Sequence, residues 1–329
     1  MRLILLTLLT IVLLIGNIFL GAIHIPAEQV YGILTGQGED SALRYIILES
    51  RLPQAVTALL AGAGLAASGL MLQTVFRNPL AGPSILGITS GASLGVALVL
   101  LLFSGLITIG GESLGGNIAV TIGALAGSFI VLGLLIALSS RIRSNLTLLI
   151  AGMMTGYLAT SIVTLLSSVS TAQGIQSYVM WGMGTFNGVS LTRLPWFSIL
   201  TLIGLAMSML LAKPLNLLLL GDNYAANLGI NVKRVRHLLL ISTGILSAVI
   251  TACCGPIGFI GLAMPHIARL IFRTDNHLTL LPATMLCGAV LALGCNLISV
   301  IPEGNIIPIN ALTPLAGVPV VLYVILKKR

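Results

Sequence analysis

Charge is what this sequence has least of. Only 7% of its 329 residues are Asp, Glu, Lys or Arg, while 57% are hydrophobic and the mean hydropathy is +1.10. A soluble domain carries about 25% charged residues, so this chain could not cover a water-facing surface with polar groups. A water-soluble enzyme or binding module is therefore excluded. Lipid is the solvent that lets apolar residues face outward. Long polar stretches are missing too, so residues 1–329 read as a single transmembrane domain. No G-x-x-x-x-G-K-[ST] phosphate loop occurs, which excludes ATP binding of that kind. Ionisable residues are nearly absent from the centres of the apolar runs. This counts against a proton-coupled pump, whose relay needs buried titratable groups. An intramembrane enzyme would need a nucleophile–base pair or a metal cluster, and neither is found. The four cysteines, Cys253, Cys254, Cys287 and Cys295, lie in apolar segments without metal-ligand spacing. They read as small packing residues, and His266 reads as a structural histidine.

What is present is a series of apolar runs near the length of about 20 residues that a membrane helix needs. They fall near 3–20, 52–72, 84–106, 118–138, 146–168, 195–211, 237–254, 257–271, 279–300 and 309–326. The first opens on Met1-Arg2 with no clear small-x-small cleavage site after it, and reads as a retained helix rather than a signal peptide. With the N-terminus inside and ten alternating spans, 13 of the 16 Lys and Arg residues fall in cytoplasmic segments. Arg44, Arg51 and Arg193 fall outside. If 257–271 were a re-entrant loop, the split would become eight against eight. The positive-inside rule thus selects ten spans with both termini cytoplasmic. The net charge of +8 is then a cytoplasmic rim, with no nucleic acid needed to explain it.

Small residues recur at helical spacing. Gly87, Gly91 and Gly95 do so on the third span, and Gly123 and Gly127 on the fourth. Gly152, Gly156, Thr160, Thr164 and Ser168 form a stripe on the fifth. Such stripes suit tight helix–helix seams, and the hydroxyls equally suit a water-accessible path. Both readings hold if the seam lies at a dimer axis. Gly82-Pro83 and Gly255-Pro256 break helical segments on opposite sides of the membrane, as two inverted five-helix halves would require. Between Lys213 and Arg236 lies the longest cytoplasmic loop. Ala225, Ala226 and Leu228 favour a short helix there with Gly229 as its C-cap, a shape that could dock into a soluble partner.

Several motifs follow one another in order: Arg51-Leu52-Pro53, Ala61–Gly69 with Gln73, Arg77-Asn78-Pro79-Leu80-Ala81, Leu86-Gly87, Leu149–Gly152, Trp181–Gly184, Ala225–Gly229 and Gly258–Arg269. In this order the chain resembles the permease subunits of type II ABC importers, the FecCD/BtuC-like family that moves ferric siderophores, haem or cobalamin. The resemblance implies an all-α, ten-helix fold in two inverted five-helix halves, assembled as a homodimer in the lipid of a bacterial inner membrane. It implies two cytoplasmic ATPase subunits holding ATP and Mg, and a periplasmic or lipoprotein substrate-binding protein. The permease itself would bind no cofactor or metal and do no covalent chemistry.

By the same resemblance Gly156, Thr160, Thr164 and Ser168 line the pathway, and Ser90, Ser144 and Asn145 form a cytoplasmic gate. Asp222, Ala225, Ala226, Leu228 and Gly229, within the 213–236 loop, couple to the ATPase. Arg51 and Glu303 face the binding protein. The chain departs from the family at Gln54, where a second Arg is usual, and at Asn296 and Val300, where an Asp and an Arg are usual. It departs again at Ile306-Ile307-Pro308-Ile309-Asn310, which stands for E-L-P-x-G. The rival readings are an ion-coupled secondary transporter of a small polar solute and a membrane structural protein. The scarcity of membrane carboxylates and the coupling-like loop weigh against the first.

Overall fold

A computed structural model describes residues 1–36, 41–102, 114–142, 144–300 and 307–327. The chain is helical throughout, with no strand among the described residues. The order is α1 (Arg2–Phe19), α2 (Ala27–Leu34), α3 (Ser41–Tyr45), α4 (Leu52–Phe76), α5 (Ile88–Ala97), α6 (Leu114–Arg141), α7 (Asn145–Val169) and α8 (Ala172–Gly182). Then follow α9 (Leu194–Leu210), α10 (Ala212–Leu219), α11 (Asp222–Asn227), α12 (Val232–Cys254), α13 (Ile260–Phe272), α14 (His277–Val300) and α15 (Ile309–Lys327). The helix starts follow from local chemistry. Ser144, Thr171 and Asn231 accept hydrogen bonds from Thr147, Gly174 and Arg234 N–H at the heads of α7, α8 and α12, each satisfying an otherwise orphaned donor. Proline stands in the first turn of α4 and α9, where its missing N–H costs nothing.

Every expected span falls on a helix, but not all are of crossing length. Six helices are long and apolar enough to cross a membrane, and α9 with α10 makes a seventh through a 47° bend. Residues 88–102, 260–272 and 309–323 are shorter apolar helices. Two of them follow the Gly-Pro breaks, and that is why they are short. The second span extends further than expected, since a π-helical turn, Ile46–Arg51, joins α3 to α4. Helix α8 lies where no element was expected.

Long-range contacts fix the up-and-down order. At one end Arg2 donates to the Ile271 carbonyl, and Asn145 Nδ2 donates to Val75 O at 2.8 Å. At the same end His277 bonds Thr74 and Asn216 at 2.8 and 2.9 Å, and Arg269 pairs with Asp275 at 3.4 Å. Arg2, Arg269 and Asp275, which the sequence assigns to the inside, thus lie at one end. At the other end Arg51 reaches the end of α1, and Thr185 N–H bonds the last carbonyl of α12 at 2.9 Å.

Helix α4 runs through the centre of the bundle. A Cβ at Gly69 would lie 1.7 Å from the Gly261 carbonyl oxygen, and one at Gly62 would lie 2.3 Å from that of Gly288. Backbones this close are possible only without side chains, and such approach supplies the packing that lipid cannot drive. The stripes on the third and fourth spans meet in the same way. Gly91 faces Gly127 and Gly95 faces Gly123. The four cysteines are free thiols within the helices.

Candidate functional site

Two broken helices converge on one place. The chain before α5 enters the bundle without helix, with Ala81, Gly82, Pro83, Leu86 and Gly87 buried. Before α13, residues 255–258 do the same. Non-helical backbone at membrane depth survives only where protein covers it or where it lines a cavity. Here both occur: Pro83 packs against Gly261, and Ser84 and Pro256 line one cavity of ≈ 250 Å³ together with Thr89, Ser90, Ser93, Thr160, Val163 and Tyr178. A second cavity of ≈ 200 Å³ shares Ser84, Ser90 and Thr160 and adds Gly156 and Tyr157. The polar lining consists of hydroxyls, without a formal charge. Burial pushes the Tyr178 phenol up from its ordinary pKa, and its hydrogen bond with Ser93 opposes that in part. The phenol therefore stays neutral at physiological pH.

The expected pathway residues divide along α7. Gly156 is a seam residue lying against Gly87 and Ser90 of α5. Thr160 is exposed and lines both cavities. Thr164 and Ser168 continue the open face beyond them. Thr160 donates to Gly156 O at 3.0 Å, Thr164 to Thr160 O at 3.0 Å and Ser168 to Leu165 O at 2.8 Å. Each hydroxyl proton is thus held inside the helix, and the oxygen lone pairs remain for a cargo or water.

The three residues expected at a gate do not form one cluster. Ser90 sits by Gly156, about 16 Å along α7 from Asn145 at 1.5 Å per residue. Ser144 caps α7, while Asn145 ties that helix start to Val75 at the end of α4. The Asn145 Oδ1 atom is buried without a hydrogen-bond partner. Ser90 therefore joins the cavity wall, and the helix junction is left to Ser144 and Asn145.

The 213–236 segment is less of a loop than its polarity suggests. Residues 213–219 continue as α10, with Leu215 and Leu218 buried, and α12 begins at Val232. Between them α11 spans Asp222–Asn227. Asp222 joins Arg77 at 3.0 Å and Arg236 at 3.1 Å, so one carboxylate ties this helix to the ends of α4 and α12. Ala225 is buried, whereas Tyr224, Ala226 and Leu228 face outward. Gly229 has φ +85°, a conformation that favours glycine. Among the described residues, no three His, Cys, Asp or Glu side chains converge as metal ligands do.

The pattern of the FecCD transport family matches residues 8–327. This chain belongs to the FecCD transport family. It is 36% identical over 325 residues to the vitamin B12 import system permease protein BtuC of Klebsiella pneumoniae, covering 98% of this chain and 93% of that one. It is 35% identical over 328 residues to the hemin transport system permease protein HmuU of Yersinia pestis, covering 98% and 95%. A solved structure, an inward-facing conformation of a metal-chelate type ABC transporter, superimposes with a TM-score of 0.84 at 32% identity, covering 99% of both chains.

Within this FecCD fold the sequence departures become legible. Gln54 Nε2 donates to Asn296 Oδ1 at 3.0 Å, and Asn296 Nδ2 donates to Asn17 Oδ1 at 2.7 Å. The two unusual residues are thus partners of each other, in a neutral amide chain joining α1, α4 and α14. Asn310 also has a use. Its side chain accepts from Gly258 N–H at 3.4 Å and donates to Gly182 O at 3.3 Å, holding the start of α15 against the α13 break. The expectation of Arg51 as a docking residue needs correction. Arg51 is 5% exposed and donates to the carbonyls of Ile18, Phe19 and Ile23, closing the end of α1 and the turn after it. Three of its five N–H donors go to these carbonyls and the side chain is buried, so it is turned toward its own chain rather than toward a partner. Glu303 lies outside the described residues.

The sequence reading missed Tyr178, Ser84 and Ser93. Helix α8 is short and weakly patterned, and the lead-in to α5 carries no helical period. The Gly-Pro breaks were the available pointer, because both lead into this one cavity.

Proposed function

We propose that this chain is the membrane permease subunit of an ABC importer, carrying a ferric siderophore, haem or cobalamin across the bacterial inner membrane as a homodimer. The observation that carries this reading is the neutral, hydroxyl-lined cavity where two broken helices meet beside the open face of α7. A wall of hydroxyls and apolar groups gives a bulky chelate a surface that neither grips it by charge nor excludes it. The ten spans form two inverted five-helix halves, and both termini face the cytoplasm. ATP is hydrolysed on two separate ATPase subunits, which engage the face presented by Tyr224, Ala226 and Leu228. The Arg77–Asp222–Arg236 bridge passes their movement to α4 and α12, and Ser144 with Asn145 works as the cytoplasmic junction. A soluble or lipid-anchored binding protein delivers cargo at the opposite end, with Glu303 the remaining candidate contact.

The test is reconstitution. An untagged ATPase is expected to co-purify with this chain, and loaded binding protein is expected to stimulate ATP hydrolysis in proteoliposomes. Uptake that survives deletion of the ATPase but collapses with the ion gradient would overturn the reading in favour of a secondary transporter. Ala226→Glu sharpens the coupling claim, since Ala226 is exposed and the change strains no backbone. ATPase activity should persist while transport is lost, with the dimer intact. Normal uptake by this variant would remove α11 from the mechanism.

A further inference from the structure

A third cavity, of ≈ 240 Å³, lies behind the first two, lined by Thr121 of α6, Trp181 of α8, Thr185, Arg193 and the end of α12 at Ala252–Gly255. It stands at the membrane edge, because α9 begins at Leu194 and α12 ends at Cys254. The base of Arg193 is held firmly. Its N–H donates to Ser190 O at 2.9 Å, its carbonyl accepts from Phe197 N–H at 3.2 Å, and Ser190 and Thr192 bond each other at 2.9 Å. Its guanidinium, by contrast, has no hydrogen-bond or ion-pair partner among the described residues. The Cys254 carbonyl in the cavity wall already takes the Thr185 N–H at 2.9 Å. None of the guanidinium nitrogens is buried without a partner, so the donors open into the cavity, where water or an anion can take them. The cavity has room for roughly eight waters at about 30 Å³ each, enough for an anionic head group and too little for a whole chelate. An aromatic pair links its wall to that of the hydroxyl-lined cavity: Trp181 lies 6.3 Å, centroid to centroid, from Tyr178.

We propose that the Arg193 cavity is an oxyanion site, binding a singly charged phosphate or carboxylate group by charge-assisted hydrogen bonds, with Thr121 and Thr185 as neutral neighbours. That chemistry has two sources: the phosphodiester of an anionic lipid, reached from the membrane edge, or a carboxylate arm of the carried chelate, reached past Tyr178. The second source rests on the transport reading above; the first does not.

The experiment has an arm for each source and uses the full-length chain. In the first, native mass spectrometry of the purified protein measures bound phosphatidylglycerol against phosphatidylcholine. Arg193→Gln is expected to weaken phosphatidylglycerol binding by about tenfold or more, the scale of a hydrogen bond to a charged group, and to leave phosphatidylcholine unchanged. In the second, cells take up a carboxylate-bearing ferric chelate and an uncharged ferric trihydroxamate. Arg193→Gln is expected to raise KM about tenfold for the charged chelate alone. Arg193→Lys, which keeps the charge without the planar fork, should restore part of the loss, as a purely structural role would not. A selective loss in either arm supports the site and names its source. If Arg193→Gln folds and matches wild type in both arms, water fills the cavity and the proposal is wrong. Should Arg193→Gln fail to fold, Arg193→Lys decides, because wild-type behaviour in both arms together with a Thr121→Val variant that also changes nothing overturns it.

Discussion

Helices α4 and α7 are both 25 residues long and apolar, and each carries a stripe of small residues. Yet in an apolar 18-residue stretch of the span containing α4, 89% of the residues are buried, and in that of α7 only 33%. Gly62 and Gly69 bring α14 and α13 against two sides of α4, and α9 and α12 close the rest. On α7 only the first half of the stripe is used this way, with Gly152 and Gly156 against Leu86, Gly87 and Ser90. From Thr160 onward no described residue covers the stripe, and Thr160, Thr164 and Ser168 are exposed. The same residue pattern is thus a seam where a neighbour reaches it and a lining where none does.

That comparison can be broken most severely at Gly69. A valine there would drive its Cβ into the Gly261 carbonyl, and neither backbone can give way. Overpacking of this kind costs about 3 kcal/mol or more. Gly69→Val is expected to abolish the monodisperse peak in fluorescence-detected size exclusion, whereas Thr164→Ile on the open face of α7 should elute like wild type. A folded Gly69→Val protein would mean that the α4–α13 contact is looser than described.

The next largest effect belongs to Asp222. Arg236 is 8% exposed at its side chain and Arg77 is 48% exposed. Asp222→Ala leaves the buried guanidinium unpaired and should cost about 2 kcal/mol in thermal unfolding of the detergent-solubilised protein. Arg77→Ala should cost under about 1 kcal/mol, as exposed pairs do. Equal losses from the two changes would show that burial does not set the difference.

Smaller again is the amide chain. Gln54→Leu and Asn296→Leu should each cost about 1 kcal/mol, and the double change less than their sum, with a coupling of about 0.6 kcal/mol. Strict additivity would mean that the two side chains do not rely on each other. Smallest for stability is Thr160→Val, expected to shift unfolding by less than about 0.5 kcal/mol. Its effect should appear in the uptake rate instead, since it removes a hydroxyl from two cavities without altering a seam. Unchanged uptake would take Thr160 out of the path.

Much of this was legible in the sequence for physical reasons that are local. Hydropathy located the spans because each helix must satisfy lipid along its own length. The Lys and Arg bias grouped Arg2, Arg77, Arg236 and Arg269 at one end because charge stays out of the bilayer. Gly91, Gly95, Gly123 and Gly127 announced a seam by their spacing. Arg51 was misread because an arginine at a span edge looks the same whether it meets a partner protein or the carbonyls of its own chain. Ser90 was grouped with Ser144 and Asn145 although the unwound stretch before α5 carries it deeper into the bundle.

By itself, then, the sequence determined the solvent, the spans, their grouping into two ends and the family, since each depends on residue chemistry read one segment at a time. The tertiary structure alone decided which small-residue stripe is covered, that Gln54 answers Asn296, and that two Gly-Pro breaks meet at one cavity. These depend on which segments lie side by side. In a bilayer, where hydrophobicity does not distinguish lipid from a neighbouring helix, side-by-side placement comes from close packing between residues far apart in the chain.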